Sequence, residues 1–265
     1  MRAQSKFACI KKDLTNSPKV LRTWFFLILF MRKIVSLIIL TIFLVNFGLI
    51  AEAKPDEVVD KIVFIHREKT PEALAEMAAK SIGSTKPLYK YSGLHWDSTL
   101  VPYLIDSSGS GLDSTAVKSV IEASFETWDT ATSKTDVFAD TGSTGTAGNL
   151  DATNGVNEIC FREVSGSGTI AVTYIWYNRY TKAVTEVDTV FNTKYTWTIS
   201  STGVAGTMDL QNIATHEFGH WLVLNDLYTQ PAAEQTMYGY GSYAEIKKSI
   251  LESGDVAGIE KIYGP

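Results

Sequence analysis

His216, Glu217 and His220 stand in the order H-E-x-x-H within THEFGHWLVLND, residues 215–226. No other stretch of the chain restricts its fold as much. Asp209 is placed as an N-cap, so the spacing predicts a helix from about Leu210 to Leu224. On that helix the two histidines are four apart and share a face. Ala214, Phe218, Trp221 and Leu222 recur as an apolar stripe roughly opposite His216. The fold should therefore bury one side of this helix and turn two imidazoles toward a cleft.

Two neutral imidazoles on one face suit zinc, which takes nitrogen ligands in tetrahedral geometry. Glu217 follows the first histidine and can reach a water held by that metal. It would take the proton of the zinc-bound water as this attacks a carbonyl, and pass it to the leaving amine. That is the metalloprotease reading of the pattern. The pattern is short, and the competing reading is a surface helix with two incidental histidines. A catalytic zinc has three protein ligands and one open position. His66 and His95 are far away in sequence and precede the expected core of the site. Asp226 lies just beyond the helix end and could turn back to the metal. Its alternative is a solvated loop carboxylate.

The rest of the chain divides into three parts. Residues 1–53 form a leader. Read from Met31, it has a basic start, a long apolar run and the small-residue site Ala51-Glu52-Ala53, the form of a signal peptide. An uncleaved membrane anchor is the alternative. Either way the folded part is expected outside the cytoplasm. Residues 54–92 form an extension or pro-segment, with KIVFIHRE as a short strand and PEALAEMAAKSI as a helix entered at Pro71. Residues 93–265 read as an α+β domain. TLVPYLID is a strand, and Ser114 caps a helix to about Thr130 with Val117, Val120, Ile121 and Trp128 on one face. Residues 138–156 read as a surface loop, whose Asp140, Asn149, Asp151 and Asn154 could offer oxygens to calcium without matching a defined calcium loop. NEICFRE, TIAVTYIWY, AVTEVDTVF and TKYTWTIS are strands, and TIAVTYIWY suits an exposed edge. YAEIKKSILES and DVAGIEKIYG are short helical patterns. Cys9 falls in the leader, which leaves Cys160 as a single buried thiol with no disulfide partner. The formal charge of −5 comes without a basic cluster in the globular part, so nucleic acid is not an expected partner.

The motifs together resemble the metzincin metalloproteases, and the matrixins among them. That family carries H-E-x-x-H-x-x-G-x-x-H/D, and H-E-F-G-H-W-L-V-L-N-D matches in the form with Asp as third ligand. QTMYGY resembles the family's methionine turn, with Met237 as the floor of the site. GDVAGIEKIYG resembles its last helix, and EVDTVFNTKYTW the segment before the active-site helix. The resemblance covers residues 93–265. It implies a zincin domain with a twisted, mixed five-stranded sheet, an active-site helix and a small C-terminal helical lobe. It also implies catalytic Zn2+ on His216, His220 and Asp226, with Glu217 as general base and acid. A peptide or protein substrate would be added as a strand beside TIAVTYIWY. Tyr238, Tyr240 and Tyr243 are candidates for the substrate pocket wall. Calcium is left open, with no motif for it. A membrane enters only through the N-terminal segment if that stays uncleaved.

Two departures from the family pattern stand out. Val223 occupies the glycine position, and a β-branched residue tolerates positive φ poorly. Asn225 is the residue that could take the unusual conformation, displacing the turn. The thiol of the family's inhibitory segment is absent, as are the histidines of a second, structural zinc. The function expected is a secreted zinc-dependent endopeptidase. The alternative is a catalytically weak or inactive zinc- or peptide-binding module at the cell surface.

Overall fold

The computed structural model describes residues 58–81, 87–131, 137–139, 142–150 and 152–265. The expected leader, with Met31 and Cys9, lies outside them, as do Asp140 and Asp151. One mixed sheet organises the described residues. Its strands are β1 (Val59–Glu68), β2 (Leu104–Asp106), β3 (Ser143–Thr144), β4 (Glu158–Arg162), β5 (Thr169–Asn178), β6 (Val184–Asn192) and β9 (Tyr240–Gly241). Their spatial order is β3-β2-β4-β6-β5-β1-β9. β7 (Trp197–Thr198) and β8 (Met208–Asp209) form a separate small pair.

The run β3-β2-β4-β6-β5 supplies the five strands that the family resemblance implies, although β3 falls in the segment read as a surface loop. The first four are parallel, and β5 is antiparallel to β6. Two more strands extend the sheet to seven. β1 pairs antiparallel with β5 from Val59↔Asn178 to Arg67↔Thr169, and parallel with β9 at Arg67↔Tyr240 and Glu68↔Gly241. β5 is therefore not an exposed edge as its composition suggested. Its β-branched and aromatic residues are paired on both sides, because residues 59–68 supply a second alternating strand to cover them. β2 is shorter than TLVPYLID predicted. Leu100 has φ 57° and Pro102 has no N–H to donate, so only a bridge from Val101 to Phe138 precedes Leu104.

Helix α1 (Pro71–Ser81) follows β1, and α2 (Ser114–Asp129) packs over the sheet. The cap of α2 is Asp113 rather than Ser114, its carboxylate accepting the Ala116 N–H. Val117, Ile121 and Trp128 are buried as the helical spacing requires. Helix α3 (Leu210–Trp221) carries the histidines. Asp209 caps it by accepting from the Asn212 N–H, and a second oxygen of the same carboxylate accepts from Ser200. Phe125 of α2 stacks on Phe218 of α3 at 3.8 Å between ring centroids, and the Trp128 indole N–H donates to the Thr215 carbonyl. These contacts fix the rotation of α3 about its axis.

Of the two C-terminal helical patterns only the second forms an α-helix, α4 (Ser253–Tyr263). In the first, Lys247–Ser249 make a single 3-10 turn, and Lys248 is fully buried. Cys160 is a buried free thiol, pushed up to about 12 by burial. In the segment read as a surface loop, where calcium had no motif, the Asn154 side-chain oxygen accepts from the Val156 N–H and its amide donates to Glu158, so that side chain is spent on the turn.

Candidate metal centre

α3 ends in a turn that decides where Asp226 goes. The Leu224 N–H donates to the Gly219 carbonyl and the Val223 N–H to the His220 carbonyl, the paired bonds of a Schellman motif. Val223 itself takes the left-handed conformation, with φ 63°. The turn is thus not displaced, and Asn225 does not absorb it. Holding a β-branched residue there costs roughly 1–3 kcal/mol. The Val223 side chain is wholly buried, which returns about 1.5–3 kcal/mol. The two terms offset each other. Residues 90–92 brace the turn from outside, through Ser92 N–H to the Val223 carbonyl and Asn225 N–H to the Lys90 carbonyl.

The turn carries Asp226 back over the helix. Its Oδ1 lies 3.2 Å from His216 Nε2 and 3.5 Å from His220 Nε2. The other imidazole nitrogens are engaged: His216 Nδ1–H donates to the Thr236 carbonyl at 2.6 Å, and His220 Nδ1–H to the Leu224 carbonyl at 2.8 Å. Those bonds set the tautomer and leave both Nε2 lone pairs pointing at one place. His216 Nε2, His220 Nε2 and Asp226 Oδ1 are buried and have no hydrogen-bond partner. Three converging acceptors without a donor are costly unless a cation sits among them. Tetrahedral zinc, with bonds of about 2.0–2.1 Å, sets its ligand atoms roughly 3.3–3.5 Å apart. The residues present fit zinc.

Burial holds His216 unprotonated, its pKa down to about 3. Burial acts the same way on His220, but the adjacent Asp226 carboxylate outweighs it and raises that histidine. Burial alone would raise Asp226, yet the facing imidazoles hold it below the usual carboxylate range. Tyr228 O–H donates to Asp226 Oδ2 at 2.9 Å, leaving Oδ1 for the shared point.

Glu217 is fully buried beside this group, and burial pushes it up to about 7. Its Oε2 accepts from Thr173 O–H at 2.6 Å. Thr173 is held in turn by Thr189, its cross-strand partner, which also accepts the Trp221 indole N–H. Met237 lies under the helix, its sulfur against Gly219. The Asp255 carboxylate of α4 accepts the Thr236 and Met237 N–H groups, so the last helix fixes the turn whose carbonyl orients His216. A methyl at Gly219 would overlap Met237 Sδ and press on the Trp128 ring. Gly219→Ala is expected to lower stability by about 1–3 kcal/mol despite better helix propensity, read from chemical denaturation.

Three placements differ from the sequence reading. The histidine face of α3 does not open on a cleft, because β1 lies over it. His66, set aside as remote, is inside the site. Its ring packs on that of His216 at 3.9 Å, and Phe64 stacks on His220 at 4.0 Å. Tyr238 and Tyr240 are buried in a small cluster with Tyr228, near the site. Tyr243 is half exposed against Tyr195 and does not join them. No local motif marks Lys248 or Thr173 in the sequence. His66 had a weak signal: it is the polar member of the inward alternation Ile62, Phe64, His66.

The Matrixin family model matches residues 95–264 of the chain. No curated protein matches it.

Proposed function

The chain belongs to the matrixin family of zinc-dependent peptidases, and on that premise we propose that it is an endopeptidase in which His216, His220 and Asp226 hold the zinc and Glu217 is the general base and acid. The observation that carries this reading is the convergence of three buried, donorless ligand atoms on one point beside a buried carboxylate. His216, His220 and Asp226 would hold zinc there, and its Lewis acidity would acidify a water and polarise the scissile carbonyl. Glu217 would take a proton from an attacking water as the water oxygen bonds to the carbonyl carbon. As the C–N bond breaks, Glu217 returns the proton to the leaving amine. Thr173 fixes one carboxylate oxygen and leaves the other for the proton. The signal-like N-terminus supports action outside the cytoplasm.

Tyr228 supports the third ligand, so Tyr228→Phe is expected to weaken zinc binding about tenfold, measured by competition with a chelating dye. The reading as a whole is tested on the chain from residue 54, before and after limited proteolysis. One zinc per chain and chelator-sensitive cleavage of casein are expected. Absence of bound zinc, or of chelator-sensitive cleavage in both forms, would overturn it.

A further inference from the structure

With β1 in place, His66, Thr173, His216, Glu217 and His220 are all fully buried. No extended peptide can reach Glu217 in this arrangement. The obstruction is one segment. β1 lies between two backbone edges, antiparallel to β5 and parallel to β9. Its inward side chains Phe64 and His66 cover the rings of His220 and His216. Its outward residues Lys61, Val63 and Arg67 are exposed. Were β1 to leave, β5 and β9 would face each other as unpaired edges across a slot one strand wide, with the site at its floor. Such a slot takes an extended peptide through backbone hydrogen bonds.

His66 makes this more than edge pairing. Lys248 Nζ is buried and donates to the carbonyls of Tyr238 and Tyr240, the latter at 3.0 Å, and to His66 Nε2 at 3.0 Å. That accounts for all three ammonium protons. His66 Nε2 is therefore the acceptor, so Nδ1 carries the proton and donates to Glu217 Oε1 at 3.3 Å. A buried cation, a neutral imidazole and a buried carboxylate are joined in one line. The oxygen that Thr173 leaves open is taken by His66. The register shift between His66 and Arg67 occurs where this ring enters the site, and such irregularities re-aim side chains.

We propose that residues 59–68 are an internal pseudo-substrate: a strand that fills the peptide slot between β5 and β9 and uses His66, not a thiol, to occupy Glu217 until it is displaced. The inference rests on the peptidase reading for its functional meaning, but the strand's occupancy can be measured without any activity.

The test is a zinc-loaded chain from residue 54 with a specific protease site introduced between Ser81 and Pro87. Those amides of Thr169–Asn178 that point to β1 rather than to β6 should exchange slowly before the cut. After the cut and removal of the N-terminal fragment they should exchange at least a hundredfold faster, with zinc retained. Casein cleavage should rise at least a hundredfold. A synthetic peptide of residues 57–70 should bind the cut form and restore inhibition, and its His66→Ala version should bind at least tenfold more weakly. In the uncut chain His66→Ala should raise casein cleavage at least tenfold. Measurable and equal casein cleavage before and after the cut, or equal binding of the two peptides, would overturn the proposal. A cut form that binds zinc and the peptide, with its β5 amides unprotected, and hydrolyses nothing would sink the peptidase reading and leave the strand's occupancy standing.

Discussion

Glu217→Gln should reduce casein cleavage by the freed chain by about 10²–10⁴-fold, the range that a positioned general base contributes. Zinc content should not change on the proposed assignment to His216, His220 and Asp226. In the other grouping that could hold an ion, His66 with His216 and Glu217, the His66 and Glu217 atoms are already paired with each other. Glutamine keeps the size of the side chain and an oxygen for the Thr173 hydroxyl, so the folded state should survive. It cannot accept the proton of water. Stability offers a second readout. Burial raises Glu217 from 4.5 to about 7. A carboxyl whose folded pKa exceeds its unfolded one holds its proton more tightly when folded. Its contribution to stability is therefore full below about pH 4.5 and is lost as pH rises toward 7. Glu217→Gln should flatten that part of the pH profile of the melting temperature of the zinc-free, uncut chain. Full activity in the variant would remove Glu217 from the mechanism.

Asp226→Ala should weaken zinc binding by more than the roughly 10–100-fold that loss of an outer-sphere partner costs, because on the proposed assignment it removes a ligand atom itself. Two imidazole nitrogens would remain, one short of the three protein ligands of a catalytic zinc. Isothermal titration against zinc, alongside Tyr228→Phe, separates the two roles. The alanine variant should lose zinc under conditions in which the phenylalanine variant keeps it. Unchanged affinity in Asp226→Ala would make the aspartate a bystander to the two histidines.

The sequence shows the local features of this site clearly. The cap at Asp209, the four-residue spacing of the histidines and the methionine downstream are signals carried by neighbouring residues. Strands β2, β4, β5 and β6 are also legible as apolar or alternating runs, but their mostly parallel order came only from the family resemblance, and β3 lies in a segment read as loop. What pairs with β5 is not legible. Residues 59–68 lie more than a hundred positions before it, and a strand's partner is written in no single stretch of sequence. His66, Lys248 and Thr173 reach the site through that pairing or through long-range turns, so spacing could not unite them. Val223 is a different kind of miss. A rule about residue preference predicted that the turn would move. Paired backbone hydrogen bonds and full burial of the side chain held it in place.

Val223 also bears on how such chains are found. The approach of Asp226 is fixed by the bonds from the 223 and 224 amides to the helix end, together with the clasp from residues 90–92. Glycine relieves strain at that place without creating the geometry. A search pattern that demands glycine there rejects this chain, although it makes the turn. A pattern that asks for a helix-ending turn closed by a buried residue, followed at the right distance by histidine or aspartate, retains it. Other members of the family with a large residue at this position can be looked for with such a pattern.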